Sequence, residues 1–335
     1  MFFLLALFQT LIQTATALEE TLATVDLGQA GQTRANLDSL SGIRTAGATI
    51  PLVAKYQFGV SGSTQSGWPI NGTLAAMDSE SGPVALGLLL QVDRLSEVQL
   101  DQLPGWRLAD EELEQQQLDV LAGGSAAISL YRRQLGLSVG AFYLTQSSGT
   151  ATPVQGLELN ASVAGQFSQM FIAVLGTEDL LGVSGERRVS SAIRYGSGAQ
   201  PISGPFRNYG GAELDVVTHI NENGFGLSSV GLSAEVPVAD EVVLRSGYRF
   251  VVGGNTLGHL AQRWTKNATA LSGTSGEELI PSYLIHEPAF GIGLDSGSVA
   301  IEYSFALGFL SETAESAGDQ IWLNQHHSLG LRFRL

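Results

Sequence analysis

Five histidines, His219, His259, His286, His326 and His327, are the first place to look for acid–base or metal chemistry, and their spacing supports little of it. No His-Glu-x-x-His pair or comparable ligand spacing occurs, and there is no cysteine to ligate a metal or close a disulfide. Asp215 and His219 form an acid–imidazole pair at short range. On a strand, four residues of separation puts both on the same face, two pleats apart, the kind of pair a rim-site hydrolase would use. No serine nucleophile elbow is expected, and no catalytic residue, metal or cofactor is assigned. Asn71-Gly-Thr, Asn160-Ala-Ser and Asn267-Ala-Thr match the glycosylation sequon, and no role is assigned to them.

The spacing does support a wall of charge. Lys55, Gln57, Gln91, Glu158, Arg188, Arg194, Glu213, Asp215, Glu235, Arg245, Arg249, Glu302, Arg332 and Arg334 fall at alternate positions of short runs whose other positions are apolar. A period of two is the strand period, so each run has one apolar and one polar face. Acids and bases on neighbouring runs would form a ladder of ion pairs in a lumen. The bland reading is that these residues solvate and brace an interior.

Such side chains need a sheet with lipid on one side and water on the other. The last ten residues, HHSLGLRFRL, show the pattern most clearly: Leu329, Leu331, Phe333 and Leu335 alternate with Ser328, Gly330, Arg332 and Arg334. A soluble sandwich rarely places two arginines on the inner face of a strand, whereas a transmembrane barrel has a lipid face and a wet lumen face. Similar runs lie near 52–61, 69–78, 83–93, 125–132, 135–146, 156–167, 170–178, 187–196, 209–219, 225–237, 242–252, 288–295, 298–309 and 326–335. The fold class expected is therefore all-β: one antiparallel transmembrane barrel of about fourteen strands over 51–335. Tight turns at Arg133-Gln134, Ser168-Gln169, Ala239-Asp240-Glu241 and Ser296-Gly297 alternate with longer segments, notably 95–124 and 253–287, as periplasmic turns and outer loops do. These turns pair Leu130 with Leu137, Gly165 with Ile172, Leu294 with Val299, and Glu235 with Arg245. Asp110–Ala122 reads as an acidic amphipathic helix in the first long loop. Tyr56, Phe58, Tyr143, Phe167, Tyr195, Tyr248, Phe250, Tyr303 and Phe309 fall near strand ends, where aromatic girdles belong.

Charged residues are only 15% of the 335, glycine is abundant at 41, and the net charge of −15 argues against a nucleic-acid partner. Residues 1–17, MFFLLALFQTLIQTATA, read as a secretory signal peptide without a basic start, too short to span a bilayer as a helix. Residues 18–50 are Gly/Ala-rich and lack strand alternation. They read as a plug or hatch, with a short helix near Ala30–Leu40, and Arg34, Asn36, Asp38 and Arg44 are its candidate anchors. The first three are expected to meet Lys55, Arg332 or Arg334 beside the barrel's closing seam.

Two stretches resemble the FadL-like family, the long-chain fatty acid transporters of the Gram-negative outer membrane. LGQAGQTRANLDSLSGIRTAGA at 27–48 looks like the family's hatch, although the Asn-Pro-Ala-Gly turn is absent and Ser41-Gly42-Ile43-Arg44 stands near its place. AEVPVADEVVLRSGYRF at 234–250 looks like its strand–turn–strand ending in Arg-x-Gly-Tyr-Arg. The resemblance implies an outer-membrane, porin-like channel for hydrophobic, fatty-acid-like molecules that pass the hatch and leave sideways at a strand irregularity, for which Gly87 is the nearest candidate. It also implies outer-membrane lipid and the barrel-assembly machinery as partners. The alternative is a structural or secretion-accessory barrel without a solute pathway.

Overall fold

In the computed structural model the described residues are 34–37, 39–52, 55–65, 70–95, 117–148, 154–168, 171–181, 187–196, 211–221, 224–239, 241–253, 283–312 and 322–334. Fourteen strands follow one another: β1 (Tyr56–Gln65), β2 (Ile70–Asp78), β3 (Val84–Leu95), β4 (Gln117–Leu130), β5 (Leu135–Ser148), β6 (Val154–Ser168) and β7 (Phe171–Glu178). Then come β8 (Arg187–Gly196), β9 (Gly211–Asn221), β10 (Gly224–Ala239), β11 (Val242–Gly253), β12 (Tyr283–Asp295), β13 (Val299–Glu312) and β14 (Trp322–Arg334). Each pairs antiparallel with its sequence neighbours, and β14 closes on β1 with Phe58 opposite Phe333 and Val60 opposite Leu331.

Closure leaves no edge, and alternation gives the wall two chemistries. Leu86, Leu88 and Leu90 of β3, Phe290, Ile292 and Leu294 of β12, and Leu329, Leu331 and Phe333 of β14 are exposed on the outside. So continuous an apolar surface is unfavourable in water and fits hydrocarbon. The fourteen polar residues assigned to the opposite parity are all buried. No helix among the described residues is long and apolar enough to cross a membrane.

Turn chemistry corrects three expected registers. Tyr131, Arg132 and Arg133 all adopt positive φ, at 51°, 57° and 67°, with no glycine among them. The Gln134 N–H donates to the carbonyls of Leu130 and Tyr131, at 3.2 and 3.3 Å, so the turn takes four residues. Leu130 then faces Leu135 and Ile128 faces Leu137, two residues from the expected register. The turn after β12 behaves alike: Gly297 lies at φ 91°, its N–H donates to Asp295 Oδ1 (2.8 Å), and Leu294 faces Ile301 rather than Val299. A slip of two keeps every side chain on its face. Between β6 and β7 the slip is one, with Gly165 opposite Ala173 and Ala164 opposite Val174, and an odd slip exchanges the faces. Ile172 and Val174 therefore point inward, where Ala35, Leu37, Ala46 and Leu52 cover them.

Three elements also shift. Residues 117–122, the end of the expected acidic helix, begin β4, and Leu121 is buried inside the barrel. Residues 110–116 lie outside the described residues. The first strand starts at Tyr56 and not at 52, because Gly47–Leu52 forms a 3-10 turn carrying Pro51. The helical turn of the amino-terminal segment is Gly42–Thr45, downstream of the stretch expected to be helical.

Candidate functional site

Small residues make room for the amino-terminal segment inside the barrel. Gly59, Gly87, Gly136 and Gly176 face inward from β1, β3, β5 and β7. A Cβ at each would collide in turn with Leu40, with Ile43 and Ile50, with the Ala48 carbonyl, and with the Thr45 carbonyl. Glycine weakens a strand interior, and its use here is the close approach it permits. Ile43 and Ile50 enter an apolar cluster of Ala75, Met77, Ala85, Leu89, Leu121, Phe142 and Leu144, all buried on the inner faces of β2–β5. Gly136→Val is expected to displace residues 40–50 while the barrel still folds, since its outer face and ladder are untouched. Trypsin would then cut at Arg34 and Arg44, which are buried in the native protein; continued protection of both would contradict this packing.

The same segment is pinned by polar contacts that satisfy its backbone. Ser125 Oγ donates to the Ile43 carbonyl (2.5 Å), and the Ala48 N–H donates to Ser162 Oγ (3.0 Å). Arg44 makes a forked pair with Glu158, through Nε at 3.0 Å and Nη2 at 2.8 Å, and Asn160 braces both Glu158 Oε1 (2.7 Å) and the Arg44 carbonyl (3.2 Å). Lys55 Nζ donates to the Leu37 carbonyl. Arg34 Nη1 donates to Asp215 Oδ2 (2.5 Å) and Nη2 lies 3.6 Å from Glu178. The next two residues continue the run: the Ala35 N–H donates to Glu213 Oε1 (2.8 Å) and Asn36 Nδ2 to Glu235 Oε1 (3.4 Å).

From there a belt of alternating charge crosses to the closing strand. Arg194 lies 3.5 Å from Glu213 and 2.6 Å from Glu235. Glu235 also accepts from Arg245 Nε (2.8 Å), its register partner. Arg245 then reaches past β12 to Glu302 on β13 (3.2 Å). It can do so because the intervening inward position is Gly293, where a Cβ would stand 2.8 Å from Arg245 Nη1. Glu302 accepts from Arg332 Nη2 (2.6 Å), and Asp295 from Arg334 Nη1 (2.5 Å). Apart from the belt, Arg249 pairs with Glu287. Removing one partner of a buried pair leaves an uncompensated charge, so Glu302→Gln, which serves two arginines, is expected to destabilise by about 3–5 kcal/mol. Urea unfolding in lipid vesicles measures it, and an unchanged midpoint would contradict the belt as drawn.

This wall and plug can be set beside known proteins. The sequence matches no protein-family model and no curated protein. Solved structures do match. A Pseudomonas aeruginosa FadL homologue superposes with a TM-score of 0.62 at 10% identity, covering 93% of this chain and 98% of its own. The CymD monoaromatic hydrocarbon channel gives 0.60 at 11%, over 94% and 97%. The P. putida toluene transporter TodX gives 0.55 at 10%, over 94% and 98%. The fold is that of the FadL-like outer-membrane barrels.

Some details expected of the FadL-like hatch fall elsewhere in this chain. Arg34 and Asn36 meet β7, β9 and β10 rather than the closing seam, because Arg332 and Arg334 are already matched by Glu302 and Asp295 on the neighbouring strands. Asp38 lies outside the described residues. Gly87 is not an irregularity: β3 keeps an unbroken register with β2 and β4 through it, and its small size serves Ile43 and Ile50. The ladder does lapse between β12 and β13, where His286 faces Phe309 and Ala289 faces Ala306 but Glu287 and Pro288, though paired with Arg249 and Tyr248 of β11, are matched to no residue of β13. Proline has no N–H to give.

Several anchoring residues escaped the sequence reading. Glu178 and Asp295 end β7 and β12, where alternation runs out, and Ser125, Asn160 and Ser162 are small polar residues whose parity alone marks them. Gly136-Leu137-Ser138-Val139-Gly140 also spells Gly-x-Ser-x-Gly. A nucleophile elbow needs a strand-to-helix turn, whereas Ser138 sits inside β5, hydrogen-bonded to Ser162 Oγ (2.7 Å). Asp215 is likewise engaged by Arg34 rather than held for a histidine.

Proposed function

We propose that the protein is an outer-membrane channel or transporter for small hydrophobic molecules, closed at rest by residues 34–52. The observation that carries this is the apolar inner wall of β2–β5. A water-filled pore is polar inside. Here Leu89, Leu121, Phe142 and Leu144 instead make an apolar surface within the lumen, and Ile43 and Ile50 of the plug cover it. An apolar solute competes with those two side chains for the same surface. The FadL-like neighbours named for toluene and monoaromatic hydrocarbons support the reading, and fatty-acid-like chains belong to the same class of ligand. Outer-membrane lipid surrounds the barrel, and insertion by the assembly machinery follows export through a cleaved leader at 1–17, which lies outside the described residues. The gap at Glu287 and Pro288 is where a sideways exit from lumen to lipid needs the least ladder broken. No catalytic step is assigned: Asp215 is engaged by Arg34, and Ser138 by Ser162.

The test is uptake into liposomes carrying the purified protein, with toluene and radiolabelled octanoate as separate solutes against empty liposomes. Faster entry of either supports transport and says which is preferred. Entry no faster than through empty liposomes for both would overturn it in favour of a structural or secretion-accessory barrel, a role that the ion-paired, filled lumen also suits.

A further inference from the structure

Resting on that reading, we propose that Phe142 is a specificity-determining residue of the lumen, selecting flat aromatic solutes over saturated ones of the same size. Leu89 of β3, Gly123 of β4, Phe142 of β5 and Glu158 of β6 form one inward row across four neighbouring strands. The adjacent row, on the side of the tight turn after β4, is Gly87, Ser125, Gly140 and Asn160. Three of those four serve the plug. Gly87 leaves room for Ile43 and Ile50, Ser125 donates to the Ile43 carbonyl, and Asn160 donates to the Arg44 carbonyl. Phe142 therefore stands one row beyond the plug's seat, in the same apolar cluster as Ile43 and Ile50, with the Glu158 partner of Arg44 beside it. A solute that displaces the two isoleucines meets this ring.

Two glycines that make no room for the plug lay the ring down on the wall. A Cβ at Gly123 would stand 2.8 Å from Phe142 Cδ1, and one at Gly140 would stand 2.9 Å from Cε2. Those atoms are diagonally opposite in the ring, so the ring lies along β4 and β5 instead of standing into the lumen. A side chain at either position would tilt it up. Glycine weakens a strand interior, and two of them here give the wall a flat aromatic surface. A planar ring can settle on such a surface in an offset stack, which adds to the gain from area alone, whereas a puckered saturated ring touches it at fewer atoms. Burial by itself favours the saturated solute, which is the more apolar of the two. The order of binding therefore separates recognition by the ring from plain apolar packing.

The probes are benzyl alcohol and cyclohexylmethanol, alike in size and both soluble enough to titrate by calorimetry into the full-length protein in detergent, with protein-free micelles as the blank. The native protein should bind benzyl alcohol about threefold more tightly, against the order of their hydrophobicity. Phe142→Leu keeps the position apolar and removes the ring. It should weaken benzyl alcohol about fivefold and leave cyclohexylmethanol within about twofold, so that the order reverses. Heat-modifiable migration reports whether the variant folds, and if it does not, the order in the native protein decides alone. Native binding of cyclohexylmethanol as tight as that of benzyl alcohol, or equal weakening of both by Phe142→Leu, would overturn the role of Phe142. Those two results leave the hydrophobic-transport reading standing, since toluene uptake tests it separately. Binding of neither alcohol would overturn both.

Discussion

Removing Ser328–Leu335 will prevent a stable barrel from forming. β14 is hydrogen-bonded on both sides, to β1 from Gln57↔Arg334 to Gln65↔His326, and to β13 from Val299↔Phe333 to Leu310↔Trp322. The deletion strips most of the ladder to β1 and half of the ladder to β13, and opens two edges at the depth of the apolar belt. In hydrocarbon no water replaces the lost partners, and each unsatisfied N–H or carbonyl costs several kcal/mol. It also takes Arg332 and Arg334 from Glu302 and Asp295, breaking the belt where it reaches the closing strand. Unheated samples on a gel should therefore lose the compact, fast-migrating band of a folded barrel. A truncated chain that still ran as a compact, protease-resistant species would show that thirteen strands can close without the last.

Deleting residues 20–45 is expected to leave the barrel folded and make it leak. The strand ladders involve none of these residues, and the outer face is unchanged. Inside, the deletion removes Ile43 from its apolar seat, Arg44 from Glu158 and Arg34 from Asp215. Residues 46–52 remain, but none of the plug's contacts to Glu158, Glu178, Glu213, Asp215 or Glu235 does. Single-channel conductance in planar bilayers should rise severalfold, and cells carrying the variant should become sensitive to bulky antibiotics that the native barrel excludes. A folded deletion variant with native conductance would mean that the plug seals nothing, and would shift the reading to an accessory barrel.

The period-two pattern in Leu329-Gly330-Leu331-Arg332-Phe333-Arg334 is enough to announce a wall with lipid on one side, and it does so in strand after strand. Turn length is less legible. The run Tyr131–Arg133 holds no glycine and no asparagine, so nothing in its composition marks three consecutive left-handed residues, and the hairpin is read two residues short. The harder error is β7. Its segment Phe171-Ile172-Ala173-Val174-Leu175 is apolar on both faces, and parity cannot choose between lipid and lumen when both are apolar. The same ambiguity covers Met77, Leu89 and Phe142, which sit where a wet lumen would demand polar side chains. An apolar inner face is itself the trace of the plug, because only a covered interior tolerates it. Where Arg34 lands was not legible, since any acid of the right parity would serve. The geometry chose β7, β9 and β10, while Glu302 and Asp295 of β13 and β12 were already occupied by Arg332 and Arg334.

The four glycine seats also carry a timetable. They lie on β1, β3, β5 and β7, and the acids that grip Arg34 through Asn36 lie on β7, β9 and β10. The plug is the first of these parts to be synthesised, yet its binding surface does not exist until ten strands stand in register. Docking is therefore a late step by necessity, governed by the slow assembly of contacts distant in sequence. During insertion the amino-terminal segment has to wait outside a half-built sheet whose inner wall, for that interval, is open. Protease protection of Arg34 and Arg44 should accordingly appear after the central hairpins have become protected, which makes the plug a clock for completion of the wall.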